Sequence, residues 1–290
     1  MTTKAFSTKD ISALRVRTGA GITDCKNALT ESEGDMEKAV EVLRKKGIAK
    51  ADKRAGRTAS QGLVVIEALA DGSAAAMVEL SCETDFVART PDFAGLAREL
   101  AVHTLGNAPG GVHPGSVLDD QPFGGKTVAE VVKAVSGKTG EAMSLTRVAR
   151  FQTTGGTVQS YLHHNGQVGV LVEVAGPAEP AVEALARDVA LHVASADPIG
   201  VSEADIPAET IARERRIAEE QVAQEGKPEA IRPKIVEGKV RKFVAERTLL
   251  GQAFVKDESR TIGALQAEAS TAAGAPVSVR RFARFKVGES

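Results

Sequence analysis

The feature that most constrains this chain is that it repeats itself. Gly62, the run 65–69, the turn pair Asp71-Gly72 and Val78-Glu79-Leu80 return 94 residues later as Gly156, the run 159–163, Asn165-Gly166 and Val172-Glu173-Val174. Leu96-Ala97-Arg98-Glu99-Leu100-Ala101-Val102-His103 returns at an offset of 89 as Leu185-Ala186-Arg187-Asp188-Val189-Ala190-Leu191-His192. Thr127, Val128, Val131, Gly140 and Arg147-Val148-Ala149-Arg150-Phe151 return at an offset of 134 as Thr261, Ile262, Leu265, Gly274 and Arg281-Phe282-Ala283-Arg284-Phe285. Asp-Gly and Asn-Gly between apolar runs predict two-residue type I′ hairpins. The middle segment is an amphipathic helix, Thr127 caps another, and the last run is a strand. Each unit therefore reads hairpin, helix, helix, strand, and two units make a duplicated α+β core.

Where the offset changes, the units differ. The first carries five extra residues within 81–91, between its second strand and its helix. The second carries 45 extra residues between its helices, placed at about 203–247. Between Glu209 and Arg247, 18 of 39 residues are charged, against 26% for the chain, so this insert cannot be wrapped in a core. Ile211, Ala218 and Val222 form a thin stripe, Ile231, Ile235, Val240 and Phe243 a fuller one, and Gly226 and Pro228 mark a stop and a restart. The pattern predicts a protruding antiparallel helical hairpin. Residues 106–125, rich in Pro and Gly, read as a local loop elaboration.

Ahead of the repeat, residues 1–47 read as three short helices, the second capped by Thr23 and the third restarting at Gly34-Asp35. Seven of the fourteen residues 44–57 are basic, which suits either a phosphate-binding stripe or a solvated linker; charge runs are usually solvated, and the linker is preferred. The expected organisation is a three-helix domain with a basic linker over 1–54, a core subdomain over 55–152, and a second over 153–290 that holds the insert.

Composition and motifs exclude much. A net charge of −1 and ten aromatic residues, none of them Trp, disfavour a nucleic-acid coat or a stacking platform. Cys25 and Cys82 form no metal-binding or disulfide pattern, and no apolar leader or membrane-length run is seen, so a cytoplasmic protein is expected. The runs 124–127 and 137–139 lack the upstream glycine of a phosphate loop. His163 and His164 sit side by side on an expected strand and should face opposite ways, while His103 and His192 occupy equivalent helix positions and should share a packing role. No catalytic constellation appears, and an enzyme, a metal and a cofactor are not expected.

What remains is Thr84-Asp85-Phe86-Val87, in the five-residue excess and ahead of the helix start Thr90-Pro91. Phe86 either folds back as a plug over the sheet or is presented with Asp85 as an anchor for another protein.

Arg17-Thr18-Gly19-Ala20-Gly21, Asp24-Cys25-Lys26, Thr84-Asp85-Phe86-Val87, the stretch from Tyr161-Leu162-His163-His164 to Gly169-Val170-Leu171-Val172, and Gly251-Gln252-Ala253-Phe254-Val255 together resemble the bacterial elongation factor Ts family, essentially end to end. The resemblance implies a ubiquitin-associated-like N-terminal domain, a duplicated α+β core and an inserted coiled coil. It also implies a non-enzymatic exchange factor that binds elongation factor Tu, GDP-bound or nucleotide-free, and promotes GDP release. Asp85 and Phe86, within the motif 84–87, are implied to disturb the partner's magnesium site. Ile22, Thr23 and Lys26, and in the core Thr139, Gly140 and His163, are implied to touch its nucleotide domain, and Val255 the rest of it. No nucleic acid or membrane is implied as partner; a homodimer or higher assembly with elongation factor Tu stays open. The competing readings are an RNA- or ribosome-binding protein using residues 44–57 and a scaffold using the helical arm.

Overall fold

A computed structural model describes residues 6–54, 56–226 and 228–289. The expected boundary at 54/55 and the chain ends therefore touch residues outside that description. Three helices come first: α1 (Thr8–Thr18), α2 (Ile22–Glu31) and α3 (Met36–Arg54). They close around Leu14, Cys25, Ala28, Leu29 and Ala39, all buried. Gly21, already extended, offers its carbonyl to the Cys25 N–H at 2.9 Å, so α2 starts one residue before Thr23, which lies inside the first turn rather than at the cap.

The third helix also differs from expectation. Residues 44–54 continue α3 instead of forming a linker. Their inner side includes the small Ala51, which is buried, and Gly47, which crosses Gly137 so closely that a Cβ on Gly137 would fall 2.8 Å from the Gly47 carbonyl. Helical periodicity carries no apolar signal where two backbones touch through glycine.

The first unit comprises β1 (Gln61–Ala68), β2 (Ala74–Cys82), the short α4 (Asp85–Ala88), α5 (Pro91–Asn107), β3 (Gly111–Pro114), β4 (Pro122–Phe123), β5 (Lys126–Thr127), α6 (Val128–Thr139) and β6 (Met143–Gln152). The second comprises β7 (Gly156–Leu162), β8 (Val168–Ala175), α7 (Pro180–Ala196), α8 (Ala208–Gln224), α9 (Arg232–Arg247), β9 (Ala253–Phe254), β10 (Asp257–Thr261), α10 (Ile262–Ala273) and β11 (Ser278–Lys286). Antiparallel sheets of order β1-β2-β6-β3 and β11-β8-β7 result. The sheets meet through Met77, Phe151, Leu171 and Phe285. On the outer faces α5 and α6 cover Val78 and Leu80 of the first sheet, while α7 and α10 cover Val170, Val172 and Val174 of the second. Strand β2, covered on both faces, is buried at all nine positions, and all of them but Glu79 and Ser81 are apolar.

Each hairpin tip reaches across to the other unit. The Val64 N–H donates to the Gly166 carbonyl at 2.8 Å, and its counterpart Val158 to Gly72 at 2.7 Å. The loops hold four residues, not two, closed by bonds from Leu69 to Ala74 and from His163 to Val168. Only the glycine of each pair is left-handed, Gly72 at φ 70° and Gly166 at φ 69°. Asp71 and Asn165 instead accept the N–H two residues on, at 2.9 and 3.0 Å, forming Asx turns. His163 is consequently the half-buried residue that closes the turn, and the exposed His164 lies in the turn rather than on a strand, their rings 4.3 Å apart.

The run 106–125 is more than a loop. It adds β3 to the edge of the first sheet and buries Leu118 completely. It also ends in a small β4–β5 hairpin that the second unit repeats as β9–β10: Gln121 and Phe123 match Gln252 and Phe254 at an offset of 131. The 45-residue excess is thus not all in the arm, since the offset passes from 131 to 134 within the β9–β10 hairpin itself.

The remaining excess includes α8 and α9, which pack through Ala218, Val222, Val236 and Val240 with Ile211 and Ile235 at the margin. Val236 takes the place expected of Ile231, which is exposed because it sits in the turn before α9. At the base, backbone bonds from Ile199 to Arg247 and from Leu249 to Gly200, both 2.9 Å, bring the arm's two ends together.

Candidate partner-docking site

The five extra residues of the first unit become the α4 turn. Thr84 caps it from an extended conformation, its hydroxyl accepting the Val87 N–H at 3.3 Å, and Thr90 with Pro91 then starts α5 in a new direction. Val87 packs against the core of the first unit, whereas Phe86 is 81% exposed. The plug reading therefore does not hold: the geometry of a single capped turn sends Val87 inward and Phe86 out. Asp85 is half exposed and pairs with Arg89 at 2.9 Å, one helical turn on. Such an exposed pair is worth under about 1 kcal/mol, so the carboxylate is readily released to another cation.

The turn is anchored from behind. Glu141 accepts the Thr84 N–H at 3.0 Å and the Thr84 hydroxyl at 2.6 Å, while Glu83 accepts the Ala142 N–H at 2.8 Å. Arg57 lies 3.5 Å from Glu83. The Cys82 thiol contacts the Thr84 carbonyl at 3.1 Å; burial, with the Glu141 and Asp85 carboxylates adding to it, pushes that thiol up to about 11, so it is a neutral packing group.

These bonds bring residues 84–87 beside Thr139 and Gly140. Gly140 ends α6 in the left-handed region at φ 83°, and the half-buried Thr139 hydroxyl turns back onto the Val135 carbonyl at 3.1 Å. Gly140 is exposed. A cleft lined by Gly21, Asp24, Thr139 and Gly140 joins this corner to the start of α2, where Ile22, Thr23 and Lys26 are exposed. His163 and Val255 belong to other elements. His163 is half-buried where the second hairpin turn closes, its Nδ1 2.9 Å from the Tyr161 hydroxyl. Val255 is 40% exposed at the tip of the β9–β10 hairpin.

That tip is held by His192, which is fully buried. Its Nδ1 accepts the Val255 N–H at 3.3 Å, which places the ring proton on Nε2, 2.9 Å from the Gln252 amide oxygen. Burial pulls the imidazole below its ordinary range, against a smaller upward pull from Gln252. In the first unit His103 meets Gln121 at 3.0 Å and Phe123 edge-on, so the two histidines share a role in packing their hairpins.

Arg89, Glu141 and the His192–Val255 bond escaped the reading of the sequence. Arg89 was legible as an i, i+4 partner of Asp85. Glu141 was legible only by comparing the copies, since the equivalent residue of the second unit is Ala275. Among the described residues no group of three or more His, Cys, Asp or Glu side chains is arranged to hold a metal, and no helix is long and apolar enough to cross a membrane.

A family model described as Elongation factor TS matches residues 83–289. Proteins named Elongation factor Ts from Clostridium perfringens (strain SM101 / Type A) and Prosthecochloris aestuarii are 43% and 42% identical to this chain. Both alignments span 98% of it, and they cover 93% and 99% of the respective relatives. One from Alkalilimnicola ehrlichii is 42% identical over 98% of this chain and 93% of the relative. The duplicated α+β scaffold is therefore that of a translation elongation factor, a protein of protein biosynthesis. The chain belongs to the elongation factor Ts family.

Proposed function

We propose that this chain is the guanine nucleotide exchange factor of elongation factor Tu, and that it works as a wedge rather than as an enzyme. The observation that carries the reading is the pairing of a rigidly capped turn with an outward Phe86 that is 81% exposed, Asp85 beside it. A large apolar ring held out on an ordered element gains from burial only in a partner.

A bound GDP is held by backbone donors and by Mg²⁺, which neutralises its phosphates, so disturbing the ion's coordination removes the largest local charge and speeds release. Phe86 enters the partner's nucleotide domain and Asp85 competes around the ion. Ile22, Thr23 and Lys26 dock the N-terminal helices on that domain, with Thr139, Gly140 and His163 extending the contact and Val255 touching the rest of the partner. Coupling is reciprocal: a factor that weakens the nucleotide is itself weakened by it, and incoming GTP expels the factor. The three N-terminal helices act as a ubiquitin-associated-like domain over 1–54, the core as subdomains 55–152 and 153–290, and the α8–α9 arm as a coiled-coil hairpin. The setting is the cytoplasm, and the partner is met in GDP-bound and nucleotide-free forms.

The test is release of a fluorescent GDP from purified elongation factor Tu with and without this protein. Acceleration at stoichiometric amounts is expected; its absence refutes the proposal.

A further inference from the structure

We infer that Glu141 is a positioning residue for the wedge: it orients the Thr84 hydroxyl so that the turn carrying Asp85 and Phe86 is set before any partner arrives, and it ties that turn to the corner at Gly140. This deepens the exchange-factor reading and rests on it.

A four-residue helix has one turn and no length over which to recover the cost of nucleation, so its geometry depends on its cap. The cap is the Thr84 hydroxyl, which carries one proton. Donating that proton to Glu141 Oε1 at 2.6 Å leaves a lone pair to face the Val87 N–H. The second carboxylate oxygen takes the Thr84 N–H, so one side chain fixes both the backbone and the rotor of the capping residue. Glu141 is itself held: left-handed Gly140 turns the chain toward β2, and the Ser136 hydroxyl donates to the Glu141 carbonyl at 2.5 Å. Glu83 returns the favour across the same gap by accepting the Ala142 N–H.

The second unit supplies an internal control. It retains the serine as Ser270, whose hydroxyl reaches the Val277 carbonyl at 3.3 Å rather than that of Ala275, the position equivalent to Glu141, and it has no capped turn between β8 and α7. There the positions of Glu83, Glu141 and Ala142 are held by Pro177, Ala275 and Pro276. Both carboxylates and the acceptor's N–H partner are missing together where the turn is missing. A carboxylate needed only to close α6 onto the next strand would serve both units alike. Its presence in one unit alone follows the wedge.

The experiment compares Glu141→Ala and Glu141→Gln with the parent. Amide hydrogen exchange is read on the free protein, and GDP release on elongation factor Tu. In Glu141→Ala, amides of Val87, Ala88 and Arg89 should exchange at least about tenfold faster while the rest of the core keeps its protection. Stimulated GDP release should fall about tenfold. Glu141→Gln should recover only part of both, because its single amide oxygen can accept from the Thr84 hydroxyl or from the Thr84 N–H but not from both. Chelating free Mg²⁺ should narrow the gap in release, which a plain loss of fold cannot do. Should Glu141→Ala fail to fold, Glu141→Asp keeps a carboxylate but draws it back from Thr84 by one methylene while leaving the Thr84 hydroxyl in place, and the same loss of protection is expected. Unchanged protection of these amides in the folded variant overturns the inference, whatever the release assay gives. If the parent itself fails to accelerate release, the exchange reading falls, and amide protection still decides whether Glu141 positions the turn.

Discussion

The guanidinium of Arg147 lies over the ring of Phe285, 4.5 Å from its centroid, and Arg281 lies over Phe151 at 4.3 Å. Each arginine stands on one unit and each ring on the other, so the duplicated units are locked by exchanging equivalent side chains. The same arginines neutralise the equivalent buried carboxylates, Arg147 to Glu79 and Arg281 to Glu173, both at 2.6 Å. A single pair of residues thus serves the sheet of its own unit and the seam between units.

Removing Arg147 leaves the Glu79 carboxylate, 1% exposed, with the Gly288 N–H as its remaining partner at 3.1 Å. Arg147→Met should destabilise the fold by about 3 kcal/mol or more, because a buried charge then lacks its partner. Adding Glu79→Leu should restore much of the loss, since an apolar pair of similar volume escapes the desolvation cost. Denaturant unfolding of the two single variants and the double variant measures this. A double variant as unstable as the two singles combined would show that the arginine's stacking on Phe285, not charge pairing, dominates.

The arm should be dispensable for folding. Its ends are joined at the base by the pairing of Ile199, Gly200, Thr248 and Leu249, and the first unit connects its own helices without any arm. Ile206 is buried and must stay. Replacing residues 208–246 with a short Gly/Ser linker should leave a cooperative melt within a few degrees of the parent. A molten product would mean that the seam of Ala218, Val222, Val236 and Val240 supports the core.

His192 gives the fold a pH dependence of known sign. Its folded pKa lies below the ordinary value of 6.5, so the unfolded chain binds the proton more readily. Its contribution is fully present above about 6.5 and is lost as the pH falls through that value toward the lower folded pKa. Protonation also puts a second donor against the Val255 N–H. The stability difference between the parent and His192→Gln should therefore be larger at pH 7.5 than at pH 5.5. A difference that grows on acidification reverses the assignment.

The parts of the fold that were legible in the sequence are those written in side chains at a regular period. The β1–β2 and β7–β8 hairpins, α5, α7 and the closing strands show themselves because their apolar residues recur at matched offsets. Segments built on backbone were not. The extension of α3 meets α6 through Gly47 and Gly137, which carry no hydrophobic pattern, and strands of two residues such as β4 and β9 are shorter than any period. The hairpin loops were misjudged because Asp71 and Asn165 close Asx turns, a use of the side chain that the dipeptide alone does not distinguish from a type I′ turn. At the site, the motif 84–87 was visible, but whether Phe86 pointed in or out depends on the cap at Thr84. That cap depends on Glu141, 57 residues away in sequence.

The wedge itself makes the sharpest prediction. Truncating a buried Phe typically costs about 3 to 5 kcal/mol, whereas a ring that is 81% exposed has little burial to lose. Phe86→Ala should leave the melting temperature nearly unchanged yet slow stimulated GDP release at least about tenfold, equal to roughly 1.4 kcal/mol of lost coupling. Asp85→Ala should also slow release without harming the fold, as its exposed pairing with Arg89 contributes little to stability. Arg89→Ala frees the same carboxylate and should leave release at or above the parental rate, which separates Asp85's charge from its ion pair. If the partner's ion is the target, lowering free Mg²⁺ with a chelator should bring both slow variants toward the parent, since the step they fail to perform has been done for them. Release at the parental rate in Phe86→Ala, with the fold intact, would remove the ring from the mechanism and leave exchange to the contacts at Gly140 and α2 alone.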